Sequence, residues 1–264
     1  MTDVSINETE LTLKSEILNR DVVCTLYLPE MDDVIEPLHL LLLNDGQDLP
    51  TMQYSQILHT LYQKRQIKPV LTVGITAGER LKEYGISGQP DFKGRGAEAE
   101  QYRRFVVEEL MPAITENTGI STFASSTMGG FSLGALSAFD IAWHHTEIFN
   151  KVGAFSGSFW WRSKDLKKGY TDRFRIAHKM VRETPHKPEL KFWFEAGTQD
   201  EKSDRNKNGI IDSIDDVTGL IMELYKKGYQ RGTDVTYIEL IGGKHDVETW
   251  GKMMPDFLIW AYGN

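Results

Sequence analysis

The chain has 264 residues, of which 40% are hydrophobic, and a formal net charge of −8, which together suit one large folded domain. This negative charge argues against nucleic acid and against an anionic membrane surface as partners, because both attract basic proteins. The single cysteine, Cys24, cannot form a disulfide within the chain, and the N-terminal segment is polar and acidic rather than signal-like, so a cytoplasmic location is expected.

Apolar runs and helical periodicities then alternate along the chain. Two strands are predicted within residues 11–28, followed by a strand, a helix and a strand at "LHLLLLNDG", 53–66 and "PVLTVGIT", and by a long glycine-rich loop over 77–98. Further elements follow in order: helices near 102–114 and 133–145, a strand at "KVGAFSG", a basic helical region up to 184, a strand at "ELKFWFEAG", a helix over 214–227, a strand at "VTYIELIGG" and a helix over 247–261. The apolar runs are of strand length and too short to cross a membrane. This alternation predicts an α/β protein with a mostly parallel sheet covered on both faces, in which ligands bind beyond the carboxyl ends of the strands.

One short motif carries candidate chemistry. Gly130-Phe131-Ser132-Leu133-Gly134 has the form G-x-S-x-G, which is typical of a nucleophile elbow, a tight strand-to-helix turn that exposes a serine. The two glycines are required if a Cβ at either position would clash within the turn. The alternative is an ordinary glycine-rich loop that contains a serine.

A serine nucleophile needs a base to accept its proton. His245 lies in "IGGKHDVETW", directly after the last predicted strand, at the position where an elbow serine finds its histidine. His178, in a basic helical stretch, and His186, between two prolines, are interpreted as solvated surface residues. His245 is therefore the predicted base.

The acid that orients the histidine is expected in the loop after the preceding strand, "FWFEAGTQDE". We favour Asp200, which follows the strand end by a short turn, and Glu195, Glu201 and Asp204 are the alternatives. An oxyanion hole is expected from two backbone N–H groups, those of Leu133 after the serine and of Gln47 in the "NDGQD" turn.

Several further segments, taken together in chain order, resemble the putative-esterase family of α/β-hydrolases, which includes esterase D, feruloyl esterases, enterochelin esterases and mycolyltransferases. The segments are "LNDGQD", "RLKEYG", "GAEAEQYRRFVVEELMPAI", "GGFSLGALSAF", "FNKVGAFSGSFWW", "GTQDE" and "GGKHDVETW". The segment "SGSFWW" is most similar to the enterochelin-esterase branch. The resemblance extends over nearly the whole chain.

This resemblance implies a single-domain α/β-hydrolase over residues 1–264, with an eight-stranded, mostly parallel sheet and helices on both faces. It implies the triad Ser132, Asp200 and His245 and supports Gln47 and Leu133 as the oxyanion hole. It also implies a substrate cleft lined by the side chains of Arg80, Tyr84, Trp160 and Trp161, although the tryptophan pair could equally pack in the core.

Residues 204–215, "DRNKNGIIDSID", form an insertion with the spacing of an EF-hand-type calcium loop, and the loop resembles those of dockerins. Gly209 stands at the position of the sharp turn, and an amphipathic helix follows. The predicted ligands are Asp204, Asn206, Asn208, the carbonyl of Ile210, Asp212 and Asp215. Because asparagine, aspartate and glycine also favour plain turns, an ordinary loop is the alternative. A calcium ion here is expected to stiffen the loop that carries Asp200.

The sequence thus predicts a serine esterase that acts on a small-molecule ester through an acyl-enzyme and needs no cofactor for catalysis. Thioester hydrolysis or acyl transfer by the same triad stays open, as does a binding protein on a hydrolase scaffold. Arg80, Arg95 and the basic segment 162–188 leave open an anionic substrate. The acyl and alcohol groups and the oligomeric state are not predicted.

Overall fold

A single eight-stranded sheet organises the molecule. The computed structural model describes residues 4–30 and 37–264. The strands lie in the order β1-β2-β4-β3-β5-β6-β7-β8. Strands β1 and β2 are antiparallel, as are β2 and β4, and the remaining neighbours are parallel, which confirms the predicted mostly parallel sheet. The bounds are β1 Ser5–Ser15, β2 Arg20–Glu30, β3 His39–Asn44, β4 Val70–Ile75, β5 Ser126–Phe131, β6 Lys151–Phe155, β7 Lys191–Gln199 and β8 Val235–Lys244.

The central strands are apolar because both of their faces are covered. In β3, Leu40 and Leu42 pack into one hydrophobic cluster, and Leu41 and Leu43 pack into the other, on the opposite side of the sheet. This division follows from the two-residue period of side chains along a strand. Edge strand β1, by contrast, is mostly exposed and mixes charged with apolar residues.

Helices cover the two faces. One cluster packs residues of α3 to α7 against the sheet, and the other packs residues of α1 and α8. The helices are α1 Tyr54–Gln63, α2 Arg80–Glu83, α3 Ala99–Arg104, α4 Met111–Thr118, α5 Leu133–His144, α6 Ile176–Glu183, α7 Asp212–Lys226 and α8 Val247–Tyr262. A π-helical segment, Phe105–Leu110, joins α3 to α4, so the predicted helix near 102–114 is part of a longer helical run.

The structure buries His178 and part of the 77–98 loop, which the sequence did not predict. His178 is not a surface residue: it is 1% exposed, and one ring nitrogen, Nε2, lies 2.9 Å from the carbonyl oxygen of Asp216 on α7. Burial lowers the pKa of His178 well below its usual value, so the ring is neutral. The 77–98 loop is not open either, because it contains α2 and buries Tyr84 and Ile86 in the core.

Cys24 is fully buried in β2, and burial raises the pKa of its thiol to about 12. Among residues 4–30 and 37–264, no helix combines the length and the apolar character that crossing a membrane requires.

Candidate active site

Ser132 occupies the sharp turn between β5 and α5. Its backbone has φ 56° and ψ −117°, a conformation that a non-glycine residue adopts only when its surroundings enforce it. Two hydrogen bonds do so: the Ser132 N–H donates to the carbonyl of Phe155 at 2.9 Å, and the Ser158 N–H donates to the carbonyl of Ser132 at 3.0 Å. The serine is thus fixed at the carboxyl end of the central strands.

The two glycines of the motif are required by close approaches. A Cβ on Gly130 would lie 2.6 Å from the carbonyl carbon of Gly134. A Cβ on Gly134 would lie 2.5 Å from a carboxylate oxygen of Asp45. Both distances are shorter than van der Waals contact, so the turn accepts no side chain at either position, and the ordinary-loop alternative does not account for the motif.

His245 meets the serine from the other side of the cleft. It lies in the loop between β8 and α8, and its Nε2 is 2.8 Å from Ser132 Oγ. The α8 helix begins at the next turn, where the Asp246 side chain accepts a hydrogen bond from the Thr249 N–H at 2.9 Å. The ring edge of His245 also faces Trp250 on α8, with ring centroids 5.3 Å apart.

Asp200 lies on the far side of the His245 ring. Its Oδ2 is 4.0 Å from His245 Nδ1, which is an ionic contact but too long for a hydrogen bond. The Asp200 side chain is 1% exposed, and neither of its carboxylate oxygens has a hydrogen-bond partner within the described part of the chain. The structure therefore brings the three predicted residues together. The contact between Ser132 and His245 is short, and the contact between His245 and Asp200 is long.

The alternative acids lie elsewhere. Glu195 is fully buried in the middle of β7, and its Oε2 lies 3.4 Å from Ser156 Oγ. Glu201 lines the pocket mouth. The Asp204 carboxylate accepts hydrogen bonds from the N–H groups of Asn208 and Gly209 in its own loop.

The predicted oxyanion donors have free N–H groups. Leu133 opens α5, and Gln47 lies in the short helical turn Gly46–Asp48 after β3. Among the described residues, neither backbone N–H donates to a protein acceptor. The Gln47 side chain is held, because its Oε1 accepts from the Ala77 N–H at 3.0 Å.

The residues expected to line the substrate cleft separate into two groups. Tyr84 and Trp161 are both fully buried, so the expectation that they contact substrate is wrong. Packing explains this: Tyr84 Oη accepts from the Asp45 N–H, and Trp161 Nε1 donates to the Gln89 carbonyl. Trp160 lines the pocket next to Ser132.

The expected cations are already paired. Arg80 forms two hydrogen bonds to the carboxylate of Asp45, at 2.8 and 3.0 Å, and does not line the pocket. Arg95 pairs with the buried carboxylate of Asp91, and its guanidinium lies 4.8 Å from the ring centre of Trp160. Neither arginine is therefore a free anchor for an anionic substrate.

A pocket of about 300 Å³ opens at the Ser132–His245 pair. Among the described residues that line it, Asp200 and Glu201 are acidic, and none is a lysine or an arginine. The full lining is Ser132, Leu133, Ser156, Gly157, Ser158, Trp160, Asp200, Glu201, Ser213 and His245. Sequence reasoning missed Ser156, Ser158 and Ser213 as pocket residues. The first two belong to "SGS", directly after β6, where strand-end chemistry is expected.

The 204–215 loop draws four of its six predicted ligands together. Amide groups of Asn206 and Asn208 each lie 3.3 Å from a carboxylate oxygen of Asp215, and Asp204 caps the same turn. Gly209 has φ 84°, as the sharp turn requires. The remaining side-chain ligand, Asp212, accepts a hydrogen bond from the Arg205 N–H instead.

Arg205 also ties this loop to the core. Its guanidinium pairs with the buried carboxylate of Asp216, which also binds Arg175. Within the described part of the chain, no three His, Cys, Asp or Glu side chains form a group that could hold a metal ion. The calcium ion accordingly stays a prediction, one that depends on asparagine as well as aspartate oxygens.

This elbow, its histidine and the sheet that carries them define an α/β-hydrolase. The sequence model of the family described as "Putative esterase" matches residues 15–261. The chain therefore belongs to the putative esterase family.

Solved structures agree with the fold. The enterochelin esterase of Shigella flexneri is 21% identical, with a TM-score of 0.72 over 96% of this chain and 58% of that protein. A ferulic acid esterase is 16% identical, with a TM-score of 0.70 over 98% of both chains. Among curated proteins, the uncharacterized protein YbbA of Bacillus subtilis (strain 168) is 27% identical over 124 residues, which are 45% of this chain and 49% of YbbA. The chain thus spans little more than half of the Shigella protein and about half of YbbA.

Proposed function

We propose that the protein is a serine hydrolase of small carboxylic esters, with Ser132 as the nucleophile, His245 as the base and Asp200 as the acid that stabilises the imidazolium. The observation that carries this proposal is the 2.8 Å contact between His245 Nε2 and Ser132 Oγ at the mouth of a pocket. A serine hydroxyl is a weak nucleophile until a base at this distance accepts its proton.

The proposed reaction has two steps. Ser132 Oγ attacks the ester carbonyl carbon while its proton moves to His245 Nε2, and that proton then leaves with the alcohol. Water attacks the resulting acyl-enzyme, gives a proton to His245 and restores the serine as the acid departs. The N–H groups of Leu133 and Gln47 are proposed to stabilise the oxyanion in both steps, and each such donor typically contributes about 3 kcal/mol.

Water is the acyl acceptor we favour. The His245 side chain is 39% exposed, so solvent reaches the ring that must activate the second nucleophile. A thioesterase or an acyltransferase would use the same groups with another leaving group or acceptor. A non-catalytic binding protein has no need of a strained serine held in contact with a histidine, and the geometry of Ser132 therefore favours an enzyme.

The pocket supports a small, uncharged substrate. About 300 Å³ is at the low end of ligand pockets and suits a short acyl group or a single aromatic ring against Trp160. Asp200 and Glu201 give the lining a negative charge, and the nearby Arg80 and Arg95 are paired. The fold likeness to enterochelin and ferulic acid esterases makes an aromatic ester a reasonable member of this substrate class.

Two matched esters of one alcohol test this activity and its charge preference. We expect kcat/KM for p-nitrophenyl butyrate to exceed that for mono-p-nitrophenyl succinate by at least about tenfold, which is about 1.4 kcal/mol. The reason is repulsion between the succinate carboxylate and the pocket carboxylates. Glu201→Gln is expected to reduce the ratio, whereas Glu116→Gln, on the exposed surface of α4, leaves it unchanged. Equal turnover of both esters would contradict the charge preference.

We also propose that the 204–215 loop binds a structural calcium ion through Asp204, Asn206, Asn208, Asp215 and the carbonyl of Ile210, with Asp212 as a further oxygen ligand. The clustering of two aspartates and two asparagines around the Gly209 turn supports it, because oxygen ligands are those that calcium prefers. Ser213, inside this loop, lines the catalytic pocket, so an ordered loop would define the pocket wall. We keep the cytoplasm as the expected location, since the single cysteine cannot form a disulfide within the chain.

Removal of calcium is expected to lower the melting temperature. At a calcium concentration of 100 times the Kd, binding stabilises by about 2.7 kcal/mol, which corresponds to a rise in Tm of roughly 5 to 10 °C for a chain of this size. Calorimetry in calcium and in EGTA measures the difference. Asp215→Asn is expected to remove most of it, and Asp256→Asn, on the exposed side of α8, to keep it. The same Tm in calcium and in chelator would exclude the ion.

A further inference from the structure

Glu195 is a fully buried carboxyl group that the proposed reaction does not use. It lies in β7, paired in register with Phe155 of β6, and it is 0% exposed. One of its oxygens, Oε2, is 3.4 Å from Ser156 Oγ, and the other has no hydrogen-bond partner within the described residues. Glutamate is almost never fully buried unless it is paired or has a function, so its position needs an explanation.

Ser156 connects Glu195 to the helix beside the active site. Its N–H donates to the Glu195 carbonyl at 2.9 Å, and its Oγ accepts a hydrogen bond from the Trp250 indole N–H at 3.0 Å. Ser156 has φ 44°, a left-handed conformation that serine rarely adopts. The backbone is thus held in a costly conformation that points the hydroxyl between a buried acid and a buried indole.

Trp250 in turn contacts two residues of the active site, Phe131 next to Ser132 and His245 itself. Its ring stacks on Phe131, the residue before Ser132, with centroids 5.2 Å apart and planes 22° apart. It meets the His245 ring edge to face, at 5.3 Å and 81°. The contact of His245 with Asp200 is 4.0 Å long, so the Trp250 ring is a second group that supports the imidazole.

We propose that Glu195 is a positioning residue for His245 and acts through Ser156 and Trp250. The inference rests on the proposed function of the site and extends it, because it assigns a role to three side chains outside the triad. Glu195 does not touch substrate. It fixes the Ser156 hydroxyl, the hydroxyl fixes the indole, and the indole face fixes the plane of the imidazole that must remain aligned with Ser132 Oγ.

The carboxyl group performs this role in its neutral form. Burial, and then the negative charge of Asp200, raise the pKa of Glu195 to about 8. The groups that face it are Asp200 from the loop after β7, Ser156 from the loop after β6 and Tyr237 from β8. Below about pH 8 Glu195 is therefore neutral, and above about pH 8 its carboxylate adds a negative charge close to Asp200.

The sign of the resulting pH dependence follows directly. The unfolded chain releases the Glu195 proton near its ordinary pKa of 4.5, whereas the folded protein keeps it to about pH 8. Between these values the folded state binds more protons, so this group lowers the stability of the fold as the pH rises from about 4.5 to 8. Ionisation above about pH 8 adds a charge that repels Asp200, which is expected to shift Asp200 relative to His245 and to lower kcat.

Three variants and one control test the proposal, with kcat and KM for p-nitrophenyl butyrate and Tm measured from pH 5 to 9.5. Glu195→Gln mimics the neutral acid and is expected to keep kcat at pH 7 within about twofold, to lose the alkaline fall and to gain Tm over wild type between pH 5 and 8. Trp250→Phe and Ser156→Ala are expected to lower kcat about tenfold at nearly constant KM. Glu189→Gln, at an exposed position just before β7, is the control and keeps the wild-type profile.

The opposing outcomes are distinct. The same alkaline fall and the same Tm profile in Glu195→Gln and wild type would overturn the proposal, as would a wild-type kcat in Trp250→Phe. Tm of each variant identifies one that has not folded, and the Tm profile of Glu195→Gln does not depend on activity. If wild type neither hydrolyses the ester nor reacts at Ser132 with a fluorophosphonate, the proposed function itself fails. A labelled, active wild type with unaltered variants removes only the role of Glu195.

Discussion

Ser132→Ala is expected to lower kcat for p-nitrophenyl butyrate by at least about 10³-fold and to leave the Tm close to that of wild type. The loss follows because alanine has no oxygen to form the acyl-enzyme, and what remains is the rate supplied by substrate binding and the oxyanion donors alone. Stability is spared because the backbone contacts of Ser132 with Phe155 and Ser158 are made by main-chain groups. Steady-state kinetics and calorimetry measure the two effects.

A covalent probe gives the same test a second readout. A fluorophosphonate is expected to add one label to wild type, detected by intact mass, and none to Ser132→Ala. Ser158→Ala is the matched control, because the Ser158 hydroxyl lies 3.3 Å from Ser132 Oγ but forms no hydrogen bond with His245 among the described residues. Labelling that persists in Ser132→Ala and disappears in Ser158→Ala would identify Ser158, and not Ser132, as the nucleophile.

Features encoded in short stretches of chain were predictable from sequence. The apolar run of β3 predicts a strand covered on both faces, because every second residue must be apolar on each side. The spacing of Gly130 and Gly134 around Ser132 predicts a turn without room for a Cβ, and the distances of 2.6 and 2.5 Å bear this out. The constraints on β3 and on Gly130 act within a few residues, so the local sequence contains them, whereas the clash at Gly134 is with the distant Asp45.

Features that depend on distant partners were not predictable in this way. His178 looked like a surface residue in a basic stretch, but its partner carbonyl, that of Asp216, lies 38 residues further along the chain. Tyr84 and Trp161 looked like cleft residues, but each is buried by elements that the sequence does not mark as neighbours. Side-chain burial is decided by how helices pack on the sheet, and no single segment determines that.

Only part of the candidate site was predictable from the sequence. The positions of Ser132, Asp200 and His245 follow from chain order and strand ends, since parallel strands bring their carboxyl ends to one edge of the sheet. The length of the Asp200–His245 contact and the participation of Ser156 could not be anticipated. Trp250 carried a usable signal, because it lies in the first turn of the helix that directly follows His245.

Asp200→Asn is expected to lower kcat by roughly 10³-fold and to raise the Tm. At 4.0 Å and the effective dielectric of a partly exposed site, the carboxylate stabilises the imidazolium by about 4 kcal/mol, which corresponds to about three powers of ten in rate. The Tm rises because the wild-type carboxylate is buried without a hydrogen-bond partner and asparagine removes that charge. Opposite signs for activity and stability are typical of a residue kept for function.

The alternative acids supply the controls for this prediction. Glu201→Gln and Asp204→Asn are expected to keep kcat within about tenfold of wild type, because Glu201 lines the mouth and Asp204 caps its own loop. If Asp200→Asn kept full activity and Glu201→Gln lost it, the acid would be the pocket glutamate. If Asp200→Asn lost both activity and Tm, Asp200 would be a structural residue. Only loss of kcat with a gain in Tm assigns to Asp200 the charge that the imidazolium of His245 requires.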